Sequence, residues 1–120
     1  MKNADYPAMK LLINSEMIYQ HFQQWPIFAH FEVTKAIFET HTTGRSSVTF
    51  TLTHQHDCQI QIQFTGVQEM TFENFRGQNM LYELLFEEQG SSIKATFISD
   101  AGLDAIIVAD EALVLSLSAN

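Results

Sequence analysis

The segment His54-Gln55-His56-Asp57-Cys58 places two imidazoles, a carboxylate and the chain's one thiol within five residues. On a β-strand, residues two apart point to the same side, so His54 and His56 can reach one ion. Asp57 or Cys58 can add a third ligand of a kind that zinc and similar ions accept, and His41 lies a short way upstream. A closed structural site wants four ligands, and this spacing matches no standard zinc pattern. The same residues also read as the tip of a hairpin, where strand alternation need not hold. The expectation is a polar, hydrated turn, with His54 and His56 as weak candidate ligands, no metal site and no cofactor.

Nucleophilic catalysis would need a Ser or Cys activated by His, with a third group orienting the base. Cys58 lies close to His56, but nothing nearby suggests an oxyanion hole. The serines cluster in turns (Ser46, Ser47, Ser91, Ser92) or toward the C-terminus, where they serve turn geometry. There is no G-x-S-x-G, P-loop or G-x-G-x-x-G motif. The expectation is that the protein is not an enzyme.

Carboxylates are the remaining chemical resource. Glu69, Glu73, Glu83, Glu87, Glu88, Asp100, Asp104, Asp110 and Glu111 fall mostly in turns or at strand ends, as solvated charges do. With 14 acidic and 6 basic side chains the formal charge is −8. That balance argues against nucleic acid, which needs a basic face to neutralise phosphates. It favours a basic partner by electrostatic steering, or serves solubility alone.

The elements that must position these groups follow from periodicity. Asn14 to Trp25 reads as a short helix capped by Asn14 or Ser15, with Ile18, Phe22 and Trp25 on one apolar stripe. Pro26 disfavours helical geometry at the residue before it, so the helix is expected to end at Trp25. Phe31 to Thr40 reads as a strand, with Val33 and Ile37 on one face and Thr34, Ala36 and Phe38 on the other. Thr42 to Ser46 is a turn. Val48–Leu52 and Ile60–Phe64 alternate strictly between apolar and polar, and the short loop between them predicts an antiparallel hairpin. Met70–Phe72 reads as a further weak strand, Met80–Phe86 is open between helix and strand, and Ile93–Phe97, Leu103–Ala109 and Ala112–Leu117 read as strands. The fold class is α+β, mainly β. It is an antiparallel meander of about seven or eight strands, a curved sheet or sandwich, with one N-terminal helix packed on it.

One domain over residues 1–120 fits the length, with residues 1–10 as a loosely held arm. The hydrophobic fraction of 46% and the ten phenylalanines are sufficient for a core. No apolar run approaches the roughly 20 residues that span a bilayer, so no membrane contact is expected. The N-terminus shows no signal-peptide pattern, and a single cysteine forms no internal disulfide. The expected location is the cytoplasm.

The order "LINSEMIYQHF-QQWPIFAHFEV", an alternating hairpin, and "FTGVQEMTFENFRGQN" resembles a bacterial polymorphic-toxin immunity family. Members resemble small single domains with an N-terminal W-P-x-F-H-D-x-E-V motif and a later Phe followed by Gln-Asn. Trp25, Pro26, Phe28, Glu32 and Val33 match the first motif, and Phe75, Gln78 and Asn79 the second. Where the family places His-Asp, this chain has Ala29-His30, and one register step turns a strand residue to the opposite face. The resemblance implies an immunity protein that neutralises a cognate protein toxin, a basic one on charge grounds, by direct binding. Trp25, Pro26, Phe28, Gln78 and Asn79 are then the structural motif. His30, Glu32, Asp57, Glu73, Glu87 and Glu88 are the candidate partner-binding residues. The alternatives are a small ligand- or metal-binding β-domain and a structural module held through an exposed sheet edge.

Overall fold

The computed structural model describes residues 11–119, apart from 27 and 56. Among these residues the elements are β1 (Leu12–Ile13), α1 (Glu16–Phe22), β2 (Glu32–Thr40), β3 (Ser46–His54), β4 (Cys58–Glu73), β5 (Met80–Gln89), β6 (Ser92–Ala101) and β7 (Asp104–Ala119). The alternating segments form the expected hairpin. Val48, Phe50 and Leu52 on β3 stand opposite Phe64, Ile62 and Ile60 on β4, and all six are buried. On the other face Gln63 donates to the Thr49 hydroxyl at 3.2 Å, a cross-strand pair of the kind that stabilises sheets.

β4 and β7 are each 16 residues long and pair along their whole length. The weak strand at Met70–Phe72 is therefore the second half of β4, and the two last strands are one. Gly66 and the register shift between Val67 and Glu69 bend β4 at mid-length. Gly66 has φ +65°, and a Cβ there would collide with the Asp110 carboxylate of β7, so both long strands turn one corner together. Their two halves then run along different stretches of the same sheet. All seven strands belong to one sheet, in the order β1–β7–β4–β3–β2–β5–β6, with β1 parallel to β7 and β7 pairing with β6 as well. Phe50 meets Phe97 at 4.6 Å between ring centroids, and Phe64 meets Phe86 at 6.4 Å, so the core fills the space that the curled sheet encloses.

The mainly-β, α+β expectation holds, whereas the simple meander does not. The chain runs as two three-stranded meanders, β2–β3–β4 and β5–β6–β7, with β4 beside β7. After β4, residues 74–79 carry the chain across to β2, where Glu32 pairs with Met80 and closes the ring of strands. Open-ended alternation cannot signal this step, because it reports faces and not neighbours.

Two local expectations also change. α1 ends at Phe22, not at Trp25, because Gln23 adopts the left-handed conformation (φ +60°) and its N–H closes on Tyr19 O. Pro26 lies beyond that stop. At the other end Ser15 makes no side-chain capping bond, and Asn14 Nδ2 instead donates to Val114 O of β7 at 3.4 Å. On β2 the register shifts between Val33 and Lys35, so Val33, Ala36 and Phe38 face the same inner partners (Leu52, Phe50, Val48) and Ile37 faces out. The bulge at Thr34 converts a two-residue period into a three-residue step. The arm expected at residues 1–10 lies outside the described residues.

Candidate functional site

The β3–β4 hairpin closes with His54 opposite Cys58, and the Asp57 N–H donates to His54 O at 2.8 Å. Alternation from Leu52 and Ile60 directs His54 and Cys58 toward the inner side of the sheet. There the His54 ring lies 4.6 Å from Phe31 at a 30° tilt and meets Phe22 edge-on. α1 supplies the group that the sequence reading did not connect to this tip. His21, in the helix's last turn, brings Nε2 to 3.2 Å from both oxygens of Asp57. Cys58 is fully buried beneath them, and one ligand atom from each of His21, Asp57 and Cys58 lies within 4.8 Å of the other two. His54 Nδ1 stands 3.6 Å from Asp57 Oδ2, buried and without a hydrogen-bond partner. His56, the second weak candidate ligand, lies outside the described residues.

Burial pushes the Cys58 thiol up, and the Asp57 carboxylate adds to this through its charge and by accepting the thiol's hydrogen bond, to about 11. At neutral pH this is a protonated thiol, the poorly nucleophilic form.

A second surface lies at the other end of β3. Phe38 on β2 packs edge-on against Phe72 at 5.2 Å, and Phe72 packs against Phe75 at 5.7 Å. Phe38 is 47% and Phe75 44% exposed, although Phe72 continues inward to Phe50. β2 pairs with β5 only at Glu32, so from Lys35 to Thr40 its far edge has no strand partner among the described residues. Glu39 and Glu73 flank the rings in sequence and are exposed. Nearby, a cleft of about 310 Å³ is lined by His41, Arg45, Ser47, Thr65, Gly66 and Glu111. The Ser47 hydroxyl is buried there with no hydrogen-bond partner, and Arg45 Nη2 is 3.4 Å from Asp110 Oδ2.

The candidate partner-binding residues do not share one face. His30 is exposed in a tight turn at φ +71°, and its N–H donates to Leu81 O at 3.0 Å. Glu32 is half-buried in the adjoining β2–β5 seam. Asp57 and Glu73 mark opposite ends of β4, and Glu87 and Glu88 are exposed near the β5–β6 turn.

The motif residues are structural in a specific way. Trp25 and Phe28 are buried with rings 5.5 Å apart, Trp25 reaches Phe86, and Pro26 is partly covered between them. Asn79 is buried, accepts from Arg76 N–H at 2.8 Å and Leu103 N–H at 3.1 Å, and donates to Arg76 O and Val33 O. One amide thereby ties β2, the segment before β5 and the β6–β7 turn. Gly102 has φ +130° and sits so close that a Cβ would stand 2.7 Å from the carbonyl of Gln78, whose own residue is exposed. Comparison of the chain with family models, curated proteins and solved structures returned no match.

Proposed function

We propose that this chain is a non-enzymatic binding protein of the immunity type, which neutralises a basic protein toxin by covering it. The observation that carries the reading is the exposed pair Phe38 and Phe75, joined through the half-buried Phe72, beside the edge of β2 that has no strand partner among the described residues. Large rings at a surface beside an open strand edge have the make-up of an interface centre. The net charge of −8 supports a basic partner, since opposite charge accelerates encounter and excludes like-charged competitors. The resemblance of the Trp25–Val33 stretch to immunity proteins points the same way.

The cytoplasm is the proposed site of action. Among the described residues no helix is long and apolar enough to cross a membrane.

The test is co-expression with the product of the adjacent gene. Protection of the host, and a complex that weakens as salt rises, support the reading. If the neighbouring toxin neither binds nor is neutralised, the reading fails.

A further inference from the structure

One side-chain cluster offers a chemistry that the aromatic interface does not use. We propose that His21, Asp57 and Cys58 form a binding site for a zinc-class divalent ion that fastens α1 to the β3–β4 hairpin. The donors are an imidazole, a carboxylate and a thiol from two separate elements, a set that suits zinc and cobalt(II) rather than magnesium or calcium. A tetrahedral ion with bonds of about 2.0–2.3 Å separates its ligand atoms by roughly 3.3–3.8 Å. His21 Nε2 and the Asp57 oxygens already stand at 3.2 Å, and no pair among the three ligand atoms exceeds 4.8 Å. Closing the set therefore takes side-chain movements of about 1 Å, with no change of backbone.

A second observation points to a ligand here. His54 Nδ1 is covered, 3.6 Å from Asp57 Oδ2 and without a hydrogen-bond partner, although the His54 side chain as a whole is 35% exposed. Its place beside Asp57 makes it the next donor in reach, either to the ion or to the carboxylate that holds it. Binding exchanges the thiol proton for metal: Cys58 ligates as the thiolate and His21 through Nε2 of the neutral ring. The site is open to solvent on one side, since the His21 and Asp57 side chains are 23% and 44% exposed, which supplies an entry path.

Cobalt(II) titration of the full chain, with any affinity tag removed, tests this directly. The expected result is one cobalt per chain, intense visible bands of a tetrahedral ion and a near-ultraviolet sulfur-to-cobalt absorption, all displaced by zinc. Cys58→Ser abolishes the near-ultraviolet band, and His21→Gln, on a half-exposed helix position, weakens binding by more than about tenfold. Circular dichroism confirms that each variant is folded. Absence of stoichiometric binding by folded wild-type protein overturns the proposal. So does binding that survives both substitutions unchanged, which would come from other histidines.

Discussion

At one end of β3, His54 lies among His21, Asp57 and Cys58, backed by the rings of Phe22 and Phe31. About 20 Å along the same strand, by its rise per residue, Val48 stands beside Phe38 on the inner face, with Phe72 and Phe75 beyond. The first end is partly covered: α1 lies over it and its polar groups turn toward one another, with one side open at His21 and Asp57. The second end has no such cover among the described residues, and Phe38 and Phe75 stay half-exposed. Both lie on the inner face of one sheet, so the difference comes from what each end is packed against. A covered polar cluster is suited to a small ion, and an uncovered aromatic one to a macromolecular partner.

The largest expected effect removes the support common to both ends. Asn79→Ala leaves the buried Leu103 N–H and the Val33 carbonyl short of partners, at about 1–3 kcal/mol for each unsatisfied group. Urea unfolding should show a loss of about 3 kcal/mol or more. A loss below about 1 kcal/mol would mean that the seam between β2 and the β6–β7 turn holds without that amide.

The aromatic end should separate binding from stability. Phe38→Ala with Phe75→Ala is expected to weaken the toxin complex by about 2 kcal/mol or more, as the loss of an interface centre does. Because Phe75 is half-exposed, Phe75→Ala alone should shift the urea midpoint by no more than about 0.5 kcal/mol equivalent. Equal losses in both measurements would make these rings core, not interface, and erase the contrast.

At the covered end, His21→Ala removes the bond between helix and hairpin, a single half-buried contact expected to contribute about 1 kcal/mol. Hydrogen exchange would locate the effect, with faster exchange confined to α1 and the hairpin.

The smallest effect is a pH dependence set by Cys58. Its folded pKa is raised from 9.0 to about 11, so the folded state holds this proton more tightly than the unfolded chain. The associated stability is complete below pH 9 and is lost as pH rises toward 11. Alkylation of the folded protein should accelerate only over that same window. Rapid labelling at pH 8 would show a thiolate, and so an end more open than its burial indicates.

Much of the fold is legible in the chain. The hairpin of β3 and β4 follows from apolar residues at every second position, and the burial of Trp25 and Phe28 follows from their size beside a helix end. The site is less legible. His54, Asp57 and Cys58 stand together in sequence, but His21 lies 36 residues from Asp57 and carries no local mark of that meeting. Asn79 is recognisable as part of a motif, though its role as a four-way amide bridge is not.

The sequence by itself determined the faces of the β3–β4 hairpin, the presence of an early helix, the abundance of aromatic core and the acidic balance, because each is a property of local period or composition. Only the tertiary structure decided that β4 and β7 are single bent strands, that Phe38 rather than Ile37 turns inward, and that α1 delivers His21 to the hairpin. Those outcomes depend on a left-handed Gly66, a one-residue bulge at Thr34 and a left-handed stop at Gln23. Each is a small backbone irregularity whose consequences appear many residues away, where distant elements meet.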